Sequence, residues 1–323
     1  MKRIIFILAI LMAVHIFPVE TIVFKNSESI DFLKKMESHD YFFKRILDCD
    51  IDENNQLYFL DPLFGAVLRI DAGTGKLINT ISRKGQGPAE LQFANSIRVK
   101  NNLVFVTDEG FRGVKIFEKN GKLVKEFKTR SSSRNFGIDV NSKNKIFLKQ
   151  HSSDGSPNIS VYNMKGERLY EFVKFQVGED ERREYVLNDN FIFKLDSEEN
   201  MVVLFLVKKL LKKFNRNGEL LWEKEVKNRI MDEYNLDSNV RFNPNGTINI
   251  QSSVFDMDID EKNNIYVGHV GGGAVFDKNG KLINLIDFEP IGQLNQFLLY
   301  DNKLLQIVVW GLKGINIHKF NPK

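Results

Sequence analysis

The chain has 323 residues, of which 42% are hydrophobic and 27% are charged, and its formal net charge is +4 at pH 7. This length and apolar content are enough to bury a large core. Because the small excess of positive charge is spread along the chain, we expect a mixed-charge surface and no nucleic-acid partner.

The N-terminus has the pattern of an export signal. Lys2-Arg3 precedes Ile4–Val14, an apolar stretch of 11 residues, which suits a signal peptide better than a spanning helix of about 20 residues. The residues that follow show no small-x-small cleavage site, so an uncleaved membrane anchor is the alternative. We assign residues 1–19 to the signal peptide or anchor. We expect export to the periplasm, the cell envelope or the extracellular space, with membrane contact only through this segment.

A short turn recurs through residues 20–323, which we assign to one domain. Its glycines are separated by 46, 45, 52 and 62 residues, and they are Gly75, Gly121, Gly166, Gly218 and Gly280. A four-stranded propeller blade repeats about every 40 to 50 residues. The spacing therefore predicts a repeat array.

The copy from Asn95 to Lys128 is the clearest. Period-two alternation bounded by Asn-Gly-type turns predicts four antiparallel strands. Blade one contains Leu57–Asp61, blade three Phe136–Val140, and blade five Phe255–Ile259. The fourth copy is irregular, because Met201–Phe214 also has the pattern of an amphipathic helix. We interpret it as strands, since Asn217-Gly218-Glu219 keeps it in register.

The last copy, Phe297–Phe320, contains only three strands. A propeller must close its final blade, and we expect Thr21–Lys25 to supply the missing outer strand. The predicted fold is an all-β, six-bladed β-propeller with four-stranded antiparallel blades.

Antiparallel pairing sorts the loops between two ends of the blades. The strand one to two and three to four turns are short and form what we term the plain face. The strand two to three loops and the blade connections are longer and form the loop-rich face, where binding residues are expected. The candidate ligand-binding residues on that face are Asp61, Phe64, Asp108, Phe111, Arg112, His151, His269 and Trp310. Asp61 and Asp108 occupy matched positions, where we expect them to cap the following loop.

Three other patterns are weaker. Asp48–Asp52 and Asp256–Asp260 resemble the start of a calcium loop but lack its glycine and closing glutamate, so we interpret both as polar strand faces. His151 and His269 lack a third ligand in register for zinc. Gly271–Gly273 precedes no helix and is read as a wide turn. The lone Cys49 is interpreted as a small buried hydrophobic residue. We therefore predict no catalytic residues, metal or cofactor, with calcium or zinc as the alternative.

Two features resemble a known family. The strand phrases NNIYV and NQLYFLD with VFDKNGKLI resemble the NHL-type six-bladed propeller repeat. Ser82–Phe93 (SRKGQGPAELQF) resembles the GxxGxGPGEF linker of exported bacterial six-bladed propellers, although Ser82 and Ala89 replace glycines. The resemblance implies binding of proteins, nucleic acids or saccharides, and in a minority of relatives metal-dependent lyase or lactonase activity.

These observations lead to two functional hypotheses. The first is an exported binding module that presents its loop-rich face to a protein, peptide or glycan. The alternative is a metal-dependent, lactonase-like hydrolase or lyase with an ion at the channel mouth. Fold alone does not choose between them.

Overall fold

A computed structural model of the chain describes residues 20–23, 25–31, 46–129, 137–151, 156–175, 186–227, 239–245, 247–269, 272–287, 294–300, 303–309 and 315–321. The predicted signal peptide or anchor, Trp310 and Gly271 lie outside these ranges. Within them, no helix is long and apolar enough to cross a membrane.

The described residues form a β-propeller of four-stranded antiparallel blades, as predicted. The N-terminal strands are β1 (Glu20–Val23) and β2 (Lys25–Asp31). Blade 1 contains β3 (Asp48–Ile51), β4 (Gln56–Asp61), β5 (Ala66–Asp71) and β6 (Leu77–Ile81). Blade 2 contains β7 (Ala94–Lys100), β8 (Leu103–Asp108), β9 (Gly113–Glu118) and β10 (Leu123–Lys128). Blade 3 contains β11 (Ile138–Val140), β12 (Ile146–His151), β13 (Pro157–Tyr162) and β14 (Arg168–Lys174).

The remaining strands follow the same order. Blade 4 contains β15 (Phe191–Leu195), β16 (Met201–Phe205), β17 (Leu210–Phe214) and β18 (Leu220–Glu225). A separate hairpin, β19 (Asn239–Phe242) with β20 (Ile248–Gln251), precedes blade 5. Blade 5 contains β21 (Val254–Ile259), β22 (Ile265–His269), β23 (Gly272–Phe276) and β24 (Leu282–Asp287). The last three strands are β25 (Leu294–Tyr300), β26 (Lys303–Val309) and β27 (Ile315–Asn321).

The irregular fourth copy is a blade and not a helix. Met201 pairs with Phe214 and Phe205 pairs with Leu210 across antiparallel β16 and β17. The β16 side chains are all buried, because the second strand of a blade has neighbouring blades on both faces. A fully buried strand loses the polar alternation that separates strand from helix in a sequence.

The two ends of the chain meet in one sheet, which we term the terminal sheet. It has the order β2-β27-β26-β25, and β2 pairs antiparallel with β27. The predicted closing segment Thr21–Lys25 is divided, because residues 20–23 instead pair in parallel with β24 of blade 5.

The core consists of apolar clusters, each between two consecutive blades. Between blades 1 and 2, Tyr58 and Leu60 pack with Val104 and Val106. Between blades 3 and 4 the cluster is rich in phenylalanine, and Phe175 contacts Phe191 and Phe205 edge-on at centroid distances of 5.0 and 4.9 Å. Packing between blades thus buries many of the phenylalanine side chains.

The linker between blades 1 and 2 explains the glycine positions of the motif that it resembles. Ser82 and Ala89 have φ angles of 68° and 60°, in the left-handed region that glycine adopts without strain. The linker is held down by the buried Lys115, whose Nζ donates to the carbonyl oxygens of Gly87 (3.2 Å) and Glu90 (2.7 Å).

Candidate binding site at the channel mouth

The first strands of the blades lie side by side around a central axis. β3 contacts β7, β7 contacts β11, β11 contacts β15, and β15 contacts β21. They enclose a cavity of about 290 Å³. Much of its lining comes from the starting ends of these strands, including Asp48, Ser96, Ile138 and Asp256, and the rest from farther along them, including Arg98 and Lys194. Because the first strands start at the loop-rich face, the cavity opens toward that face.

The walls of the cavity combine rings and charges. Phe191, Phe193 and Phe255 contribute rings, while Arg98 and Lys194 contribute cations. The lining is thus divided almost evenly between polar and apolar surface, which makes it more polar than most small-ligand sites. The volume is at the lower limit of the usual range of such sites, roughly 300–1,000 Å³.

The two cations are held by carboxylates of neighbouring first strands. Arg98 lies 3.6 Å from Asp50 and 3.3 Å from Asp139, and it also donates to the Ile138 carbonyl oxygen (3.3 Å). Lys194 Nζ lies 2.6 Å from Asp258 Oδ1. Because all of these side chains are largely buried, their attraction is screened less than on a surface.

Burial and pairing shift the pKa values of these groups in opposite directions. Burial acts to lower the pKa values of Arg98 and Lys194, but nearby carboxylates, Asp50 and Asp258 foremost, outweigh it, so both pKa values are raised. For Asp50, burial raises the pKa, and the opposing charges of Arg98 and Lys194 do not fully offset it.

Cys49 lines the same cavity and is 2% exposed. Burial, followed by the charge of Asp48, raises the pKa of its thiol well above the usual value. The protonated thiol behaves as a small apolar group, in keeping with the sequence interpretation.

Asp61 and Asp108 cap the loops that follow them, as expected. Asp61 Oδ1 accepts from the Leu63 and Phe64 amides (3.0 and 3.3 Å). Asp108 accepts from Gly110 and Phe111 in its own loop (3.0 and 3.3 Å). It also accepts from Gln92 and Phe93 of the linker (2.8 and 2.9 Å). Both carboxylates are fully buried and do not line the cavity.

The predicted loop tips lie near Asp61 and Asp108. Phe111 is half-buried, and Lys115 Nζ and Lys128 Nζ lie 4.7 and 5.7 Å from its ring centroid. Arg112 is exposed with a φ of 59°, and its carbonyl oxygen accepts from the Thr129 amide (2.9 Å). Like Phe64, these residues are placed outside the cavity lining, and their ligand-binding role stays a prediction.

His151 belongs to a separate cluster behind the cavity wall. Its Nε2 lies 3.0 Å from Asp189 Oδ1, and Lys149 Nζ lies 3.4 Å from the same oxygen and 4.5 Å from the Phe191 ring centroid. Burial acts to raise the pKa of Asp189, but His151 and Lys149 outweigh it and lower the pKa. Burial lowers the pKa of Lys149, and Asp189 offsets part of the shift.

The other predicted histidine, His269, is fully buried at the end of β22, where it pairs with Gly272. Across the ranges that the structure describes, no three His, Cys, Asp or Glu side chains are grouped to hold a metal ion. The Asp48 and Asp256 segments lie on first strands, as the sequence analysis interpreted them.

Sequence reasoning missed the cavity cations. Arg98 alternates with Ser96 on β7, and Lys194 alternates with Ile192 on β15, so each lies on the channel side of its strand. The available signal was a charged residue between apolar neighbours on a first strand. The sequence-based candidates did not include it, because they were chosen at the loops.

No family model matches the sequence, and no curated protein matches it. Solved structures do. A member of the DUF4221 family from Bacteroides vulgatus aligns with a TM-score of 0.65 at 10% identity, covering 94% of this chain and 99% of that one.

Two other propellers align comparably. A streptogramin B lyase has a TM-score of 0.56 at 12% identity, covering 92% of this chain and 97% of that one. The calcium-binding protein regucalcin from Agrobacterium tumefaciens has a TM-score of 0.56 at 9% identity, covering 94% and 97%. At these identities the likenesses show the fold, a β-propeller, and nothing finer.

Proposed function

We propose that the terminal sheet is a sixth blade, which completes an NHL-type ring with β2 as its outer strand. Two contacts support this proposal, since β25 touches both β21 of blade 5 and β3 of blade 1. Deleting residues 20–31 is expected to lower the melting temperature and expose the edge of β27 to aggregation. An unchanged melting temperature would contradict closure by β2.

Within that ring, we propose that the protein is an exported binding module. The cavity at the channel mouth is the observation that carries the proposal, because it opens on the loop-rich face and side chains from several blades converge in it. It receives one group of a protein, peptide or glycan, and the surrounding loops contact the rest. Export is inferred from Lys2-Arg3 and the apolar stretch that follows.

Screening of a peptide library and a glycan array with purified protein tests the proposal. Ile192→Trp narrows the cavity, while Val124→Trp is a matched change on an outer strand, where Val124 is 45% exposed. We expect Ile192→Trp to weaken binding by about tenfold or more and Val124→Trp to leave it within about twofold. Equal binding by both variants would contradict a cavity site.

The metal-dependent hydrolase or lyase is kept as the alternative, to be tested by metal content. Stoichiometric calcium or zinc after purification, with a melting temperature that falls on chelation, would favour it, since a specific ligand stabilises the folded state.

A further inference from the structure

Phe93, at the end of the linker between blades 1 and 2, is an exposed ring on a fixed backbone. Its side chain is 61% exposed, the highest value among the large apolar side chains that the structure describes. Its amide donates to Asp108 Oδ1 (2.9 Å), and its carbonyl oxygen accepts from the Glu109 amide (2.9 Å). The backbone is therefore held on both sides while the ring stays in contact with solvent.

The strand two to three loops of blades 1 and 2 pack against the linker. A Cβ atom added to Gly65 would lie 2.5 Å from Lys84 Cα, and one added to Gly110 would lie 3.0 Å from Phe93 Cδ2. The loop of blade 1 also contains Leu63, whose side chain is 47% exposed. The two loops and the linker thus form one continuous surface on the loop-rich face, with exposed apolar side chains.

The buried Lys115 extends this surface toward the outer part of blade 2. Its Nζ donates to the linker carbonyl oxygens of Gly87 and Glu90 and lies 4.7 Å from the Phe111 ring centroid. Lys128 Nζ lies 5.7 Å from the same centroid. We term the outward part of this surface the linker patch, which consists of Leu63, Lys84, Phe93, Phe111, Arg112 and Lys128.

Charges in this region are sorted by depth. The carboxylates are buried or partly buried, and they are Asp61, Glu90, Asp108, Glu109 and Glu126. The cations of the linker patch are exposed and have no ion pair within the described ranges, and they are Lys84, Arg112 and Lys128. Arg83, also exposed, pairs with Glu90 Oε1 (2.8 Å). A partner that approaches the patch therefore meets positive charge first.

We propose that the linker patch binds an acidic peptide segment of a partner protein, with apolar side chains between its carboxylates. Phe93 and Leu63 contact the apolar side chains, and the three exposed cations pair with the carboxylates. Aromatic residues are enriched at protein interfaces, and a fixed anchor loses less conformational entropy on binding. The inference rests on the proposed binding function and names a surface and a partner chemistry for it. The patch residues lie outside the cavity lining, but Asn95, two residues after Phe93, lines the cavity.

The geometry favours a peptide over a saccharide. A sugar ring stacks flat on an open aromatic face, but Lys84 Nζ lies over the Phe93 ring, 6.0 Å from its centroid. Carboxylates that could bind sugar hydroxyls are withdrawn, since Asp61 and Asp108 are fully buried and accept from loop amides. Aliphatic Leu63 beside the ring suits an apolar side chain better than a hydroxylated one.

Surface plasmon resonance with the purified protein and matched probes tests the proposal. The peptide probe is acetyl-Asp-Asp-Leu-Phe-Asp-Asp-amide. One control peptide has asparagine in place of each aspartate, and the other has glycine in place of leucine and phenylalanine. We expect the probe to bind about tenfold more tightly than either control. Equal binding by either control, or no binding by any peptide, overturns the proposal. Tetragalacturonate is the saccharide probe, and its tighter binding would overturn a peptide partner in favour of an anionic glycan.

Phe93→Ala tests the exposed ring, and Tyr170→Ala is its matched control. Tyr170 lies on the outer strand β14, is 39% exposed and has Lys145 Nζ 5.5 Å from its ring centroid. We expect Phe93→Ala to weaken binding of the acidic probe by about tenfold and Tyr170→Ala to leave it within about twofold. Equal effects of the two variants contradict the proposal.

A pair of charge reversals tests the cations independently of Phe93. Lys84→Glu with Lys128→Glu should weaken binding of the acidic probe by about tenfold or more. Lys100→Glu with Lys125→Glu makes the same change in net charge at exposed positions outside the patch and should have an effect of about twofold or less. If both double variants weaken binding equally, the probe responds to net charge alone and the proposal is wrong. Should Phe93→Ala fail to fold, this comparison decides.

The failure of this inference is distinct from that of the binding function. If Ile192→Trp weakens binding of a library ligand while the acidic peptide does not bind, the cavity is a binding site and the linker patch is not. If Ile192→Trp has no effect while the acidic peptide binds through Phe93, the patch stands and the cavity site fails. If neither result is obtained, both proposals fail.

Discussion

The plain face and the loop-rich face obey different rules. On the plain face one hydrogen-bond pattern recurs: Asp52 Oδ1 accepts the amides two and four residues later, and Asn141, Asp196 and Asp260 do the same. At the opposite end, the last residue of the second strand is aspartate in blades 1 and 2, histidine in blades 3 and 5 and phenylalanine in blade 4, namely Asp61, Asp108, His151, His269 and Phe205. Turn geometry limits which residues can stand in the plain-face turns, whereas the residue at the end of the second strand can serve a different role in different blades.

The largest expected difference between the faces comes from Asp108. Asp108→Ala removes a fully buried carboxylate and leaves four amides of the loop and the linker without their acceptor, so we expect a loss of about 3–4 kcal/mol in the free energy of unfolding, measured by urea denaturation. Asp108→Asn, which keeps one acceptor oxygen, should lose less. If Asp108→Ala lost less stability than a turn variant on the plain face, the two faces would not differ in this way.

The channel residues come next. Arg98→Met leaves the buried Asp50 and Asp139 without their shared cation, and we expect a loss of about 2–4 kcal/mol. The double variant Arg98→Met with Asp50→Asn should be more stable than Arg98→Met alone, because one uncompensated charge is removed. If the losses of the two single variants added in the double variant, Arg98 and Asp50 would not interact, and the prediction would be wrong.

A smaller effect is expected in the pH dependence of the His151 cluster. The pKa of Asp189 is lower in the folded than in the unfolded chain, so its stabilisation is present above the unfolded value and lost as pH falls through the folded one. Asp189→Asn should therefore lower stability at neutral pH and lessen its decline in acid. Denaturation at a series of pH values measures both, and parallel wild-type and variant curves would contradict the assignment.

The smallest effect is expected on the plain face. Asn163 Oδ1 accepts the Lys165 and Glu167 amides at an exposed turn (2.9 and 3.0 Å). Asn163→Ala should cost about 0.5–1 kcal/mol, because water replaces an exposed acceptor readily. Urea denaturation of this variant and of Asp108→Ala gives the ratio of their losses in the free energy of unfolding. Comparable losses would contradict the difference between the two faces.

The plain face was predictable from the sequence because its signals are local. In Asn-Gly-Lys and related turns, four residues are enough to predict the geometry. Their spacing predicted the positions of the blades, including the fourth, where Met201–Phe214 alone was ambiguous. The loop caps Asp61 and Asp108 were predictable for the same reason.

The cavity was not predictable, since its residues come from strands about 40 to 60 positions apart, and only the ring brings them together. Arg98 and Asp139 meet across blades 2 and 3, and the sequence contains no signal of that encounter. The same holds for Asp189 and His151, since Asp189 lies in the connection from blade 3 to blade 4 and His151 on a strand of blade 3. Reasoning from loops therefore pointed to the end of the molecule where the cavity opens and missed the strands that line the cavity.

Leu298, a neutral residue of β25 in the terminal sheet, bears on how the proposed ring opens. Charged side chains or carboxylate-to-amide bonds join blade 1 to blade 2 and each later pair up to blade 5 and the terminal sheet. Leu298 supplies no such bond where the terminal sheet meets blade 1, which is also where the chain begins and ends its circuit. Backbone amides of β25 should therefore exchange their hydrogens with solvent sooner than those of β7 or β15. This junction is then expected to be the first part of the ring to open by local unfolding.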